Sequence, residues 1–509
     1  MASFNEIDKR NVLPNWRSYI KTAISGEFQS SNKQTFIVPL FPLDEYIFAW
    51  KENRDIPYAS DLVSAAITNG QTGKSEVIEA AKFIIAHSED SSNTQVICAQ
   101  SILSDNKSKD IENDIGLADK LSRLKNKDTR YRENIRILKQ RNFLFPYNAI
   151  NYCELARCYA NLGQWEKANK MMQIAVQLAP ESRYVSRSAA RLFLHIEEYD
   201  MAHKVLIKNP WLLKDPWIIA SEIAVNTAIG RSSRYIKRGQ ELIASGNYNP
   251  FSCSELASAI ATLEMNHGNR KKCRNYMNVA LQKPNDNSLA QAEWIIHKDQ
   301  NVGFVFGDYS YLQNKAEADC RYAYFREDYL TAISVGIDWI ADYPFDTDPI
   351  YFTAEMAYTY LKKYDIAIDI ISLGLRANPE DFGLLNNIAY CYALSGQVLK
   401  AENVLDKINP NSINVPNNTK ICLTATRGLV EYRKGHIELG RMLYLKAMAD
   451  ARSFGCEQEL IEKALLNFIR EEVMFNANYD RNLLSLMDGI MSNTKEMNQL
   501  KKDILAVIR

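Results

Sequence analysis

A pattern of small and apolar residues that returns every 34 positions constrains the fold of this chain more than any other feature. Its clearest copy runs from Ala149 to Glu181. In that copy, small side chains at Ala156 and Ala168 let two helices approach closely, and Gly163 suits a tight turn between them. The other characteristic positions of the copy are Tyr152, Leu155, Tyr159, Trp165, Met172, Ala175 and Pro180. The pattern predicts a helix–turn–helix unit.

The same pattern recurs in both halves of the chain. Ala156 corresponds to Ala190 at an interval of 34, and Ala367 corresponds in the same way to Ala401. Less regular copies cover residues 216–246, 251–284 and 421–451. These positions and spacings resemble the tetratricopeptide repeat (TPR) over roughly residues 149–454. The resemblance implies an all-α solenoid, a right-handed superhelix in which each helical hairpin buries its apolar face against its neighbours.

The strength of the repeat pattern divides the chain into five regions. We expect a divergent helical N-terminal region over 1–148, TPR-like repeats over 149–285, an irregular break over 286–312, further repeats over 313–454, and C-terminal capping helices over 455–509. Terminal elements of a solenoid have to cover its open end, which is why the last region is interpreted as a cap.

Composition favours a cytoplasmic protein. Lys plus Arg equals Asp plus Glu at 61 each, so a general nucleic-acid coat, which needs a basic excess, is not indicated. The nine cysteines include no C-x-x-C pair, and this usage is typical of a reducing compartment. The first residues lack the layout of a signal peptide, and the apolar stretch 35–50 is too short and too polar to span a membrane.

No catalytic, cofactor or metal motif emerges. Residues 70–75 (GQTGKS) partly match a phosphate-binding loop, but Thr68 stands at its first glycine and the preceding residues have a helical pattern. A glycine-containing turn between two helices is the favoured interpretation. None of the six histidines forms an H-E-x-x-H pair. We therefore expect a chain that is not an enzyme and that uses neither cofactor nor metal.

The TPR resemblance implies a concave groove lined by the first helix of each hairpin, and a protein partner bound there. Carried over position by position, the partner-binding residues are Arg157, Asn161, Arg187, Arg191, Arg321, Tyr324, Phe352, Tyr360, Asn386 and Tyr390. This groove would be basic at one end and aromatic at the other. The arrangement departs from the family's carboxylate clamp for chaperone tails, because Arg and Tyr stand where Asn is expected.

Charge is unevenly distributed along the chain. Residues 117–141 hold nine basic and three acidic residues, and 308–348 hold nine acidic and three basic. Both stretches can be solvated helix faces, or the first can dock an acidic partner or a nucleic-acid backbone. The candidate contacts for such a partner are Arg123, Lys127, Arg130, Arg132, Arg136 and Lys139.

Three functions follow from these patterns. The first is a non-catalytic protein-interaction scaffold or regulatory subunit of a larger complex. The alternative is a nucleic-acid-associated accessory factor, for example in a nuclease or defence-type complex, acting through the basic segment. An enzyme would need an active site that no motif indicates.

Overall fold

A computed structural model describes most of the chain. The described residues are 10–17, 46–47, 50–51, 54–69, 73–91, 93–103, 117, 120–121, 124, 127–144, 146–309, 312, 315–409 and 415–508. Within these ranges, all regular secondary structure is helical. The chain forms two compact units, a larger one of residues 1–20 and 124–509 and a smaller one of residues 21–123.

The smaller unit contains three described helices: α1 (Ile56–Asn69), α2 (Ser75–Ala86) and α3 (Asn93–Leu103). Their core includes Trp50, Leu62 and Ile84, all fully buried. Residues 70–74 connect α1 to α2, so a helix precedes them rather than a strand. Residues 70–72 of this connection lie outside the described residues.

The larger unit begins its helices with α4 (Lys127–Leu144) and continues in hairpins. The first half holds α5 (Ala149–Asn161), α6 (Trp165–Leu178), α7 (Arg183–His195), α8 (Tyr199–Ile207), α9 (Pro216–Ala228), α10 (Ile236–Ala244), α11 (Pro250–Asn266), α12 (Arg270–Ala280) and α13 (Asp286–Lys298). The second half holds α14 (Ala316–Phe325), α15 (Tyr329–Asp342), α16 (Asp348–Glu355), α17 (Tyr364–Ala377), α18 (Phe382–Leu394), α19 (Val398–Leu405), α20 (Asn417–Arg433), α21 (Ile437–Ser453), α22 (Gln458–Phe475), α23 (Asn482–Ser485) and α24 (Lys495–Ile508).

The helix crossings carry the small residues that the repeat requires. Ala156 and Ala168 are fully buried where α5 meets α6, and Ala367 and Ala401 are fully buried in the later hairpins. Gly163 has φ +68°, and a Cβ there would lie 2.8 Å from the Arg376 carbonyl oxygen. The predicted all-α, TPR-like solenoid is confirmed.

One helix occupies the segment that was expected to be irregular. Residues 286–298 form α13, whose N-cap Asn285 accepts a hydrogen bond from Ser288 N. Its buried side chains include Trp294 and Ile295. The segment has apolar residues at helical spacing, but no second helix follows it at the repeat interval. The hairpin pattern therefore does not predict it.

The early hairpins also contact much later ones. Trp165 Nε1 donates to the Ala377 carbonyl oxygen at 2.9 Å, although 212 positions separate the two residues. His195 Nε2 lies 2.9 Å from Asn378 Oδ1. Within the larger unit the array therefore turns back on itself, so that α6 and α7 lie against the C-terminal end of α17 and the loop that follows it.

Candidate functional site

Residues 10–17 of the chain lie against the helices of the larger unit without forming a helix themselves. Burial alternates along them, with residues 10, 12, 14 and 16 buried and the residues between them half-buried. Alternation is typical of an irregular or extended strip that presents successive side chains to opposite sides. We call the surface that it contacts on α5, α7, α13 and α14 the inner groove.

Side chains of three helices bind the main chain of this strip. The contacts are Gln291 Nε2 to Arg10 O (3.3 Å), Asn287 Nδ2 to Leu13 O (2.8 Å), Arg157 Nε to Trp16 O (3.4 Å) and Tyr184 Oη to Arg17 O (3.1 Å). The Tyr184 hydroxyl also lies 2.9 Å from a Glu154 carboxylate oxygen. Such contacts hold a segment through atoms that every residue type possesses.

Arg10 has a pocket of its own. Its guanidinium forms a two-pronged pair with Glu317 (2.7 and 2.8 Å) and donates to Asn287 Oδ1 (2.9 Å) and Gln291 Oε1 (2.6 Å). Arg321 donates to the same carboxylate at 2.9 Å. Burial opposes ionisation of Glu317, but the two guanidinium groups outweigh it and lower the pKa of that carboxyl to about 2. The pocket is therefore built for a cation.

Trp16 and Arg17 occupy the other end of the strip. Trp16 is fully buried, with its ring centroid 5.2 Å from that of Phe345. Its indole N–H has no hydrogen-bond partner among the described residues. Arg17 lies 2.9 Å from Asp286 and 3.3 Å from Asp342, and it remains partly exposed. An aromatic pocket and an acidic rim therefore follow one another.

A cavity of about 680 Å³ lies beside the strip. Its charged lining consists of Arg10, Arg191, Lys298, Arg321, Glu317, Asp346 and Asp348. Burial, and after it the neighbouring Asp346 charge, raises the pKa of Asp348 to about 6. Acidic and basic groups thus line one cavity next to the inner groove.

The early predicted groove residues make contacts inside the chain. Arg157 Nη2 donates to the Asp342 carbonyl oxygen at 3.0 Å, in addition to its contact with the strip. Arg187 pairs with Glu255 at 2.7 Å, and Arg191 pairs with Asp346. Asn161, which was also predicted to line the groove, is buried, and its side-chain atoms have no hydrogen-bond partner among the described residues.

The later predicted residues lie under the C-terminal helices. Lys495 Nζ sits 5.2 Å above the Tyr324 ring, and Tyr324 and Tyr360 hydroxyls are 3.4 Å apart. Phe352 is buried with the Arg321 guanidinium 5.1 Å above its ring.

One more of these residues, Tyr390, faces α22. Tyr390 Oη donates to Asn467 Oδ1 at 3.1 Å and accepts from Arg470 Nη1 at 3.1 Å. Asn386 is fully buried. Tyr324 and Tyr390, in the aromatic part of the expected groove, therefore contact the chain's own C-terminal helices.

The basic segment lies on α4. Arg130, Arg132, Arg136 and Lys139 are exposed there. Arg123 lies outside the described residues, and of Lys127 only the helical backbone is described. Of the described helices, none is long and apolar enough to cross a membrane, and the described residues include no cluster of three metal-ligand side chains.

The sequence patterns missed the residues that bind the strip. Asn287 and Gln291 are four positions apart on α13, so they share one face of a helix that was expected to be irregular. Glu317 and Tyr184 lie within recognised repeats but carried no distinguishing signal. A polar pair at this helical spacing, on the same helix face as apolar residues, is the signal that could have identified the site.

Comparisons with known proteins yield structural matches only. No protein-family model matches the sequence, and no curated protein does. A tetratricopeptide repeat protein from Parabacteroides merdae matches at 14% identity over 63% of this chain and 98% of that one, with a TM-score of 0.28. Yeast Tom70 matches at 14% identity over 79% and 96%, with a TM-score of 0.29.

A third match is the APC/C hetero-tetramer Cut9–Hcn1, at 10% identity over 91% of this chain and 96% of that one, with a TM-score of 0.33. At these scores the helices superpose too loosely for any residue of those proteins to be transferred to this chain. The consecutive hairpins, the buried alanines at their crossings and the interval of 34 are properties of the chain itself. On those grounds the chain is a TPR-like helical-repeat protein.

Proposed function

We propose that this chain is a cytoplasmic, non-catalytic protein-interaction scaffold, a subunit of a larger complex that binds a partner segment along its inner groove. One observation carries the proposal: four side chains of the groove contact carbonyl oxygens of residues 10–17. A surface that binds main-chain oxygens of a non-helical strip can bind a strip of another protein by the same contacts.

The test compares proteins recovered with the full chain from its native cells. Asn287→Ala and Gln291→Ala each remove one main-chain contact. In a chain that also carries Trp16→Ala, which weakens residues 10–17 in the groove, both variants should recover less of the partner than Trp16→Ala alone, and the control below is made in the same chain. Asn275→Ala is the matched control, because Asn275 is an exposed asparagine on the neighbouring α12. Quantitative mass spectrometry measures the recovery. Equal recovery of every protein by all four chains would overturn the proposal.

A second candidate function is binding of a nucleic-acid backbone through α4. Arg132, Arg136 and Lys139 are exposed and follow one another at intervals of four and three, so they share a face of the helix. Binding through phosphate contacts weakens steeply with salt. On duplex DNA, the slope of the logarithm of the binding constant against the logarithm of salt concentration is about −0.9 for each contact. Binding to DNA or RNA should therefore fall with salt and fall again when all three residues are replaced by alanine.

The control for that measurement is an equal change of charge elsewhere. Lys271, Lys272 and Arg274 are exposed on α12. Their triple alanine variant should bind as the wild type does. If both triple variants bind equally, α4 is not the contact surface.

A further inference from the structure

The strip 10–17 is recognised by its side chains as well as by its main chain. Three side chains enter separate environments: Arg10 reaches a carboxylate and two amides, Trp16 enters an aromatic pocket, and Arg17 lies between two aspartates. The first and the last of these environments are acidic, and the middle one is apolar. Another segment would need a cationic, an aromatic and a second cationic side chain in the same order to bind in all three environments.

Part of this contact is polar and close to solvent, and part is apolar, because Val12, Pro14 and Trp16 are buried. Asn11, Leu13, Asn15 and Arg17 are each only half-buried, and the cavity of about 680 Å³ opens along the strip. When the strip is released, its polar contacts are replaced by hydrogen bonds to water, so each neutral contact contributes about 0.5–1.5 kcal/mol net and each contact to a charged group about 1.5–3 kcal/mol. Release also exposes Val12, Pro14 and Trp16, but these side chains belong to an eight-residue non-helical strip, so the helices that line the groove keep their own backbone hydrogen bonds.

From these contacts we infer that the inner groove is specific for a partner segment with an arginine, an aromatic residue six positions later and a second arginine directly after it, and that residues 10–17 occupy the groove as a competing ligand. The inference rests on the proposed function and adds the chemistry of the partner. The aromatic position accepts Phe as well as Trp, because the Trp16 indole N–H has no partner among the described residues.

A ligand tethered to its own site has a large advantage. Residues 10–17 belong to the same chain as the groove, so they rebind it intramolecularly, and a free segment has to compete with their effective concentration. A partner gains access when the resident strip is weakened or when it binds elsewhere on the scaffold as well. The strip thereby sets a threshold for partner binding.

The test uses the full chain and a fluorescent peptide of residues 8–19 (DKRNVLPNWRSY), with binding measured by anisotropy. The wild-type chain should bind the peptide weakly. Trp16→Ala or Arg10→Ala weakens the resident strip and leaves the groove intact, so the peptide should bind about ten-fold more tightly or better. Two variants are used so that a folding defect in one leaves the other informative, and circular dichroism checks the fold of each.

Changes in the peptide test the chemistry that is claimed. Peptides with Ala in place of Arg10, or in place of Trp16, should bind about ten-fold more weakly to the Arg10→Ala chain. A peptide with Phe in place of Trp16 should bind within a few-fold of the original. Addition of Asn287→Ala and Gln291→Ala to the Arg10→Ala chain should abolish binding.

The outcomes separate this inference from the proposed function. Equal binding of the original and the alanine-substituted peptides overturns the inference. The proposed function would still hold in that case, because the groove could bind a partner through main-chain atoms alone. No binding to either folded, strip-weakened chain overturns it as well. Concentration-dependent dimers of the wild type that dissociate on addition of the peptide would assign the groove to a second copy instead, and would also overturn it.

Discussion

Residues 10–17 and helix α24 both lie against the inner helices of the larger unit, and they are held in different ways. The strip makes polar contacts with α5, α7, α13 and α14, and it also buries Val12, Pro14 and Trp16. In α24, Met497, Leu500 and Ile504 are buried in an apolar cluster with residues of α22. Lys495 at its start donates to the Tyr324 and Phe325 carbonyl oxygens of α14.

This contrast indicates which of the two segments, the strip or α24, is released more easily from the helices that it contacts. Burial of apolar side chains contributes roughly 25 cal/mol per Å² and is lost when the surface is exposed to water. Polar contacts are exchanged for contacts with water at a much smaller net cost. We therefore expect α24, whose apolar side chains share a cluster with α22, to be part of the fold, and the strip, whose buried residues alternate with half-buried ones, to be the more readily released of the two.

The largest expected effect comes from a buried ion pair that joins α22 to α24. Lys463 is 2% exposed and pairs with Glu496 at 2.7 Å. Glu496→Gln leaves the ammonium group buried without its counter-charge, which typically costs about 3–5 kcal/mol. Chemical denaturation should show this loss in the free energy of unfolding, and Glu380→Gln, at an exposed position, should show almost none.

Truncation of a core side chain in α24 should have the second-largest effect on the free energy of unfolding. Ile504 is fully buried, whereas the adjacent Leu505 is 50% exposed. Ile504→Ala should lower the free energy of unfolding by about 2–5 kcal/mol, because it removes buried apolar atoms and leaves a cavity. Leu505→Ala should change it by less than about 0.5 kcal/mol. Equal effects of the two variants would contradict the assignment of α24 to the core.

Trp16→Ala should affect the strip more than the fold. We expect faster hydrogen exchange in residues 10–17 and a loss of global stability of less than about 2 kcal/mol, since the strip can detach locally. Trp211→Ala is the matched control, because Trp211 is 52% exposed. If Trp16→Ala lowered the free energy of unfolding as much as Ile504→Ala does, the strip would be as much a part of the fold as α24.

The smallest effect concerns pH. The Glu317 carboxyl has its pKa lowered from 4.5 to about 2, so its contribution to stability is complete above about 4.5 and is lost as pH falls toward about 2. The stability difference between the wild type and Arg10→Ala should therefore shrink over that window in denaturant titrations. Arg274→Ala, at an exposed site, should show a difference that does not change in the same way.

The helical hairpins could be predicted because their contacts are local. Ala156 and Ala168 are twelve positions apart and meet at one crossing, and Gly163 lies in the turn between them. Trp165 is one of the characteristic positions of the repeat unit. Its indole N–H donates to Ala377, and no local pattern could indicate that contact.

The groove residues are a different case. The family pattern placed Arg157, Arg187 and Arg191 on the first helices of two hairpins, where the structure has them. Whether they face a partner or an internal carboxylate depends on Glu255 and Asp346, which come from distant parts of the chain. Their role in partner binding stays a prediction.

The sequence by itself determined the repeated hairpins, because the small residues at each crossing and the turn between its helices recur within 34 positions. Only the tertiary structure decided what covers the inner helices. Arg10 and Glu317 are 307 positions apart, and Lys463 and Glu496 join helices outside the repeat pattern. Contacts of this kind depend on how the whole array turns back on itself, and that path is set by the sum of many small crossing angles rather than by any one motif.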